Sequence, residues 1–123
     1  MDGKGCRSER LDLAGMKRGD MVVVATPGDY GKPRPAVVVQ TNALSLDYSS
    51  VVVCPITSTI MDLKFRPILE ASHGTGLRIR SQIMTDKIIG VPREKVGKII
   101  GRLTEPEMRE LDAALSFLLG LVD

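Results

Sequence analysis

Tryptophan is absent from this 123-residue sequence, histidine occurs once, and tyrosine, phenylalanine and cysteine occur twice each. The four aromatics are Tyr30, Tyr48, Phe65 and Phe117. They leave few platforms on which bases could stack, so stacking is not the leading mode of any nucleic-acid recognition. With His73 the single histidine, one chain can build neither a His-rich zinc site nor a two-histidine acid–base pair. Cys6 and Cys54 form no C-x-x-C pair. Cys54 lies in an apolar run where a buried, reduced thiol is expected, which points to a cytoplasmic protein. No apolar run approaches the roughly 18 residues of a membrane span. The opening MDGKGCRSERLDLAG has mixed charge and lacks the apolar core of a signal peptide.

The remaining composition is that of one folded domain. A hydrophobic fraction of 43% with a net charge of only +2 excludes a disordered chain, which needs fewer apolar residues and a larger imbalance. Residues 1–15 read as a disordered N-terminal extension, and 16–123 as the domain. Asp20 to Thr26, Ala36 to Thr41 and Val51 to Thr57 are rich in β-branched residues and predict three strands. The continuous run VVVCPIT suits a strand buried on both faces. Lys64 to Glu70 predicts a fourth strand, marked as an edge by Pro67. Leu77 to Ile89 reads as extended, Pro92 to Val96 as a short helical turn, and Lys98 to Leu103 as a last strand. Thr104 and Glu107 then form a capping box with Pro106 in the first turn. Met108, Leu111, Leu115, Leu118, Leu119 and Val122 recur at helical spacing and predict one buried face of a terminal helix.

Charge is divided along the chain. Residues 60–102 carry nine Lys or Arg against four acids, and residues 103–123 carry one Arg against five acids. A basic strand region fits an anionic partner and equally fits a solvated face.

Two segments carry candidate chemistry. In Gly31-Lys32-Pro33-Arg34-Pro35, the two prolines restrict the backbone around an arginine whose forked donors match phosphate oxygens; a surface arginine in a stiff loop has the same sequence. Thr57-Ser58-Thr59 closes the third strand with three hydroxyls, which bind an anion or simply cap the strand end. Lys32, Arg66, Arg78 and Arg80 are candidates to follow a phosphate backbone. Tyr30 is placed to stack on a base, and His73 reads as a loop residue.

In order along residues 16–123, Lys17-Arg18-Gly19-Asp20, GKPRPAVVVQ, VVVCPITS, Ser81-Gln82-Ile83 with Asp86-Lys87-Ile88, and Ile100-Gly101-Arg102-Leu103 together resemble the MazF/PemK toxins. The resemblance implies a mainly β fold with a C-terminal helix, a small SH3-like barrel of the CcdB/PemK toxin type. It further implies a homodimeric toxin of a type II toxin–antitoxin system that cleaves single-stranded RNA selectively and without metal. Its partner would be an antitoxin with a flexible acidic tail. The family's catalytic arginine falls on Arg34, its catalytic threonine on Thr57, and its later glutamine on Gln82, near the substrate groove. Ser58, Ser81, Lys32, Tyr30 and Arg80 complete the expected substrate-binding set. The loop Gly28 to Lys32 is shorter than in many members, and Ser81 stands where several have an acid, so the cleavage motif is not carried over.

Ribonucleic acid carries its own nucleophile, the 2′-hydroxyl, beside the scissile phosphate, so proximity comes with the substrate. Arg34 then suits stabilisation of the developing charge, with Thr57 and Ser58 orienting the phosphate or a water. An arginine side chain is a poor proton acceptor, its ordinary pKa lying above about 12. A same-fold toxin that inhibits DNA gyrase, of the CcdB type, is the alternative, although the chain ends in LLGLVD without the tryptophan that branch uses. A homologue that only binds its antitoxin is a third reading.

Overall fold

The computed structural model describes residues 15–25, 32–44 and 47–122. Cys6, Tyr30 and nearly all of the predicted N-terminal extension lie outside the described residues. Among the described residues the chain forms seven strands and one α-helix. The strands are β1 (Asp20–Ala25), β2 (Pro33–Val38), β3 (Ser50–Thr57), β4 (Ile68–Leu69), β5 (Ser81–Ile83), β6 (Ile89–Pro92) and β7 (Val96–Arg102), followed by α1 (Glu105–Leu118). They make a single sheet in the order β4-β5-β3-β2-β1-β7, in which β3 also pairs with β6. The first half of β3 pairs with β6 and its last two residues with β5. One long strand therefore hands its edge from one partner to another as the sheet curls into a half-barrel.

Both faces of the central strands are covered. On one face Val22, Val24, Ala36, Val38, Val51 and Val53 pack with Val91 and Val96. On the other, Met21, Val37, Cys54 and Ile56 pack with Leu69, Leu77, Ile83, Leu111 and Leu115. Strand alternation sends neighbouring residues to opposite clusters, which is why VVVCPIT carries no polar face. Burial pushes the Cys54 thiol up to about 12, an inert core thiol.

The prolines explain why β2 starts three residues earlier than predicted. The amide of Val39 donates to the Val52 carbonyl on β3, and the Val38 carbonyl accepts from Gly19 beside β1. Odd-numbered residues of β2 thus turn their backbone groups toward β3 and even-numbered ones toward β1. Pro33 and Pro35 withhold a donor only on the β3 side, beyond the last β2–β3 pair, Ala36 with Pro55. The β1 ladder, which includes Val24 with Arg34, is undisturbed.

Elsewhere the pattern is shorter or more broken than expected. The predicted fourth strand contracts to Ile68–Leu69, because residues 58–66 are held by side chains rather than by a ladder. The segment predicted as one extended run breaks at a 3₁₀ turn, Thr85–Lys87, and a second such turn, Arg93–Lys95, lies where a helical turn was expected. The capping box forms as predicted: Thr104 Oγ1 accepts from Glu107 N at 3.3 Å and Glu107 Oε1 accepts from Thr104 N at 2.8 Å. The buried helix face is smaller than predicted. Leu111 and Leu115 are buried, but the helix stops at Leu118 and Leu119 and Val122 are exposed. No helix among the described residues is long and apolar enough to cross a membrane.

Candidate active site

Register places the central candidates in a line. Val24 pairs with Arg34 across β1 and β2. Continuing the β2–β3 register by two residues beyond Ala36 and Pro55 sets Arg34 opposite Thr57. Thr57 in turn pairs with Gln82, and Gln82 with Ile68. Residues opposite each other in an antiparallel sheet share a face, and neighbouring strands lie about 4.8 Å apart. Thr57 and Gln82 are therefore neighbours on one face, and the β2–β3 register, followed past its last pair, directs Arg34 toward the same face.

Arg34 is held by the β1 ladder between two prolines, and its side chain is exposed. Thr57 is half-buried at the last position of β3. Its Oγ1 accepts a hydrogen bond from the Thr59 amide at 3.1 Å, so the hydroxyl closes the turn and keeps its proton to donate. Ser58 is exposed on that turn.

A groove of about 340 Å³ runs alongside, lined by Pro33, Arg34, Ser58, Arg78, Ile79 and Ser81 among others. Arg34, Ser58 and Ser81 line it and Thr57 does not; the strand residues Val23, Pro35 and Ile56 in its wall belong to the face opposite Thr57 and Gln82. The far wall is the turn Ser72 to Leu77, pressed onto β7. Gly76 has φ of 79°, and a Cβ there would stand 2.3 Å from the Ile100 carbonyl oxygen. Only glycine fits this approach. Thr75, buried beneath, bonds with Ser72 at 3.0 Å and fixes the turn.

The other expected substrate contacts are distributed differently. Lys32 is exposed just before β2. Arg80 is exposed and pairs with Glu70 at 3.0 Å. Ser81 is buried and donates to the Ile79 carbonyl at 2.9 Å. Gln82 is 1% exposed, with its carboxamide turned onto the chain. Its Oε1 accepts from Met61 N at 3.1 Å, and its Nε2 donates to the carbonyls of Met61 at 2.8 Å and Arg66 at 3.2 Å.

Arg66, a candidate for the phosphate backbone by sequence, is 7% exposed and belongs to the interior. Its Nε and Nη2 bind the two oxygens of Asp86 at 2.7 and 2.9 Å. The hydrogen bonds from Arg66 hold the Asp86 carboxyl below the usual carboxylate range, and those to Asp86 raise the Arg66 pKa. Sequence reasoning missed this pair because its members stand 20 positions apart with no periodic relation. It also missed Ile79, 60% exposed on the groove wall. Among the described residues no three His, Cys, Asp or Glu side chains cluster as a metal site would need.

A profile of the family described as PemK-like, MazF-like toxin of type II toxin–antitoxin systems matches residues 17–119. The sequence is 38% identical over 108 residues to a protein of Mycolicibacterium smegmatis named "Probable endoribonuclease MazF", covering 86% of this chain and 98% of that one. It is 30% identical over 115 residues to endoribonuclease MazF9 of Mycobacterium tuberculosis, with the same coverage. Among solved structures, an endoribonuclease from a mycobacterial species in complex with its cognate antitoxin superposes with a TM-score of 0.74 at 21% identity, covering 87% of this chain and 97% of that one. The Mycobacterium tuberculosis toxin MazF-mt6 does so with a TM-score of 0.74 at 22% identity, covering 85% and 99%. At these identities the structures speak for the fold, the half-barrel with its terminal helix.

Proposed function

The chain belongs to the PemK-like, MazF-like toxin family of type II toxin–antitoxin systems, and from that premise we propose that it cleaves single-stranded RNA, without a metal, by internal attack of a 2′-hydroxyl. The observation that supports this reading is the β2–β3 register, which continued two residues past Ala36 and Pro55 brings Arg34 toward Thr57 at the open end of the sheet.

In that reaction the 2′-oxygen forms a bond to phosphorus as its proton passes to solvent water, the bond from phosphorus to the 5′-oxygen breaks, and a proton is delivered to that oxygen. The products are a 2′,3′-cyclic phosphate and a 5′-hydroxyl. Negative charge gathers on the non-bridging oxygens in between, where cationic donors already aimed at it give the largest benefit. Arg34 is assigned that role and delivery of the proton to the leaving oxygen. The Thr57 hydroxyl donates to a phosphate oxygen or to a bridging water, and Ser58 assists from the same turn. The nucleophile is part of the substrate, so no step calls for a metal-activated water. Arg78 lines the groove and, with the exposed Lys32 and Arg80, would hold flanking phosphates.

The chain's partner is assigned as an antitoxin with an acidic tail, and the assembly as a cytoplasmic homodimer. Support comes from the relative solved with its cognate antitoxin and from the nine basic residues against four acids in residues 60–102. Incubation of the protein with a long single-stranded transcript in EDTA, followed by mapping of the RNA ends, tests the reading. Discrete cuts bearing cyclic phosphate and 5′-hydroxyl ends are expected. An intact transcript, or gyrase inhibition in its place, overturns it.

A further inference from the structure

The turn that carries Ser58 and follows Thr57 is closed at both ends by a single residue. The backbone of Gln82 pairs with Thr57, and the Gln82 side chain grips both the N–H and the carbonyl of Met61, four residues on. One carboxamide here acts as a strand would, supplying a donor and an acceptor to a backbone that has no ladder. Its second N–H reaches the Arg66 carbonyl. Every polar atom of the buried amide is thereby engaged, and two carbonyl partners fix which way the amide faces.

The far end of the segment is fastened by charge. Arg66 is clamped on Asp86 through two parallel hydrogen bonds, and its Nη1 lies 3.8 Å from the Met61 sulfur. Next to Asp86, the Thr85 hydroxyl donates to the Phe65 carbonyl, and the Ile83 amide donates to Pro67. Residues 82–86 thus hold residues 57–67 at five places. Arg66 is buried while the Asp86 side chain is 30% exposed, so the pair is partly screened and adds little net stability; its use is to select one arrangement among several.

We propose that Gln82 and the Arg66–Asp86 pair form a latch that positions Thr57 and Ser58 for the scissile phosphate. They are positioning residues, and this rests on the ribonuclease reading above. Hydrogen bonding of Gln82 to the substrate is not part of the role, because its amide is spent on the chain. The latch acts on rate rather than on affinity: displacement of a reacting group by about 1 Å costs roughly 100-fold in rate, whereas RNA affinity comes from phosphate contacts spread along the groove.

The test compares Gln82→Met, which keeps length and loses all three hydrogen bonds, with Asp86→Asn, which keeps shape and loosens the clamp. Single-turnover cleavage at saturating RNA gives the rate. Anisotropy with a non-cleavable 2′-deoxy oligonucleotide gives the Kd, and hydrogen exchange reports the Met61 amide. For Gln82→Met we expect a rate lowered about 10- to 100-fold, a Kd within threefold of wild type, and faster exchange at Met61. Asp86→Asn should change the same quantities in the same directions, by less. A raised Kd with an unchanged rate would make Gln82 a substrate contact and overturn the latch. An unchanged rate in both variants, or unchanged exchange at Met61, would also overturn it. Cleavage by the wild-type protein in the same assay reports the ribonuclease reading separately.

Discussion

Two stretches of the chain are nearly the same in sequence and opposite in fate. Lys32-Pro33-Arg34-Pro35 and Lys64-Phe65-Arg66-Pro67 each set an arginine before a proline and two residues after a lysine. Arg34 sits on a paired strand, exposed at the groove, and Arg66 lies inside the protein on Asp86. The difference arises from the backbone. Around Arg34 the β1 ladder holds the strand, and the side chain is exposed. Around Arg66 no ladder holds the chain, and the guanidinium does that work through a carboxylate from the neighbouring segment. The same residue type is exposed where the backbone is already fixed and serves structure where it is not.

Exchanging the two arginines' roles by mutation gives the largest contrasts. Arg34→Ala should lower cleavage by about 100- to 1000-fold, the loss seen when one aimed donor is removed from a developing anion. Its unfolding free energy should fall by no more than about 1 kcal/mol, the range for a contact of an exposed charged side chain. Arg66→Ala should reverse the pattern. Losing the hydrogen bonds of Arg66, whose partner Asp86 reaches solvent, should cost about 1–2 kcal/mol of stability by urea unfolding, with RNA cleavage measured on the folded fraction falling less than for Arg34→Ala. Equal activity losses in the two variants would erase the distinction. A smaller effect is expected away from both sites: Thr104→Ala removes the helix cap and should cost about 1 kcal/mol while cleavage stays unchanged.

Acid supplies the finest probe. Asp86 has a pKa lowered in the folded protein by its bonds to Arg66, so the unfolded chain binds more protons in the acidic range. Its contribution to stability is then fully present above the ordinary carboxylate range and is lost as pH falls through the depressed folded value. Unfolding free energies measured between pH 5 and pH 3 should fall less steeply for Asp86→Asn than for wild type. Identical slopes would mean that the pair is not formed in solution.

Much of the fold was legible because its signals are local. The capping box at Thr104 and the apolar run of β3 read directly, since both depend on neighbours in sequence. The register of Arg34 with Thr57 was not readable as such, but the motifs that place them at strand ends were. Gln82 was assigned to the substrate by resemblance, and its bonds to Met61 and Arg66 depend on a loop whose path no periodicity announces. The helix face was overread: Leu119 and Val122 continue the spacing, but the helix ends at Leu118 and both are exposed.

A double-mutant cycle on the single-turnover cleavage rate tests the central pairing of Arg34 with Thr57 most directly. If both act on one phosphate, Thr57→Val should slow the wild-type protein markedly and slow the Arg34→Ala protein very little, because the partner's effect is already lost. Fold losses that simply multiply in the double variant would contradict the account, as would an Arg34→Ala protein that cleaves at the wild-type rate.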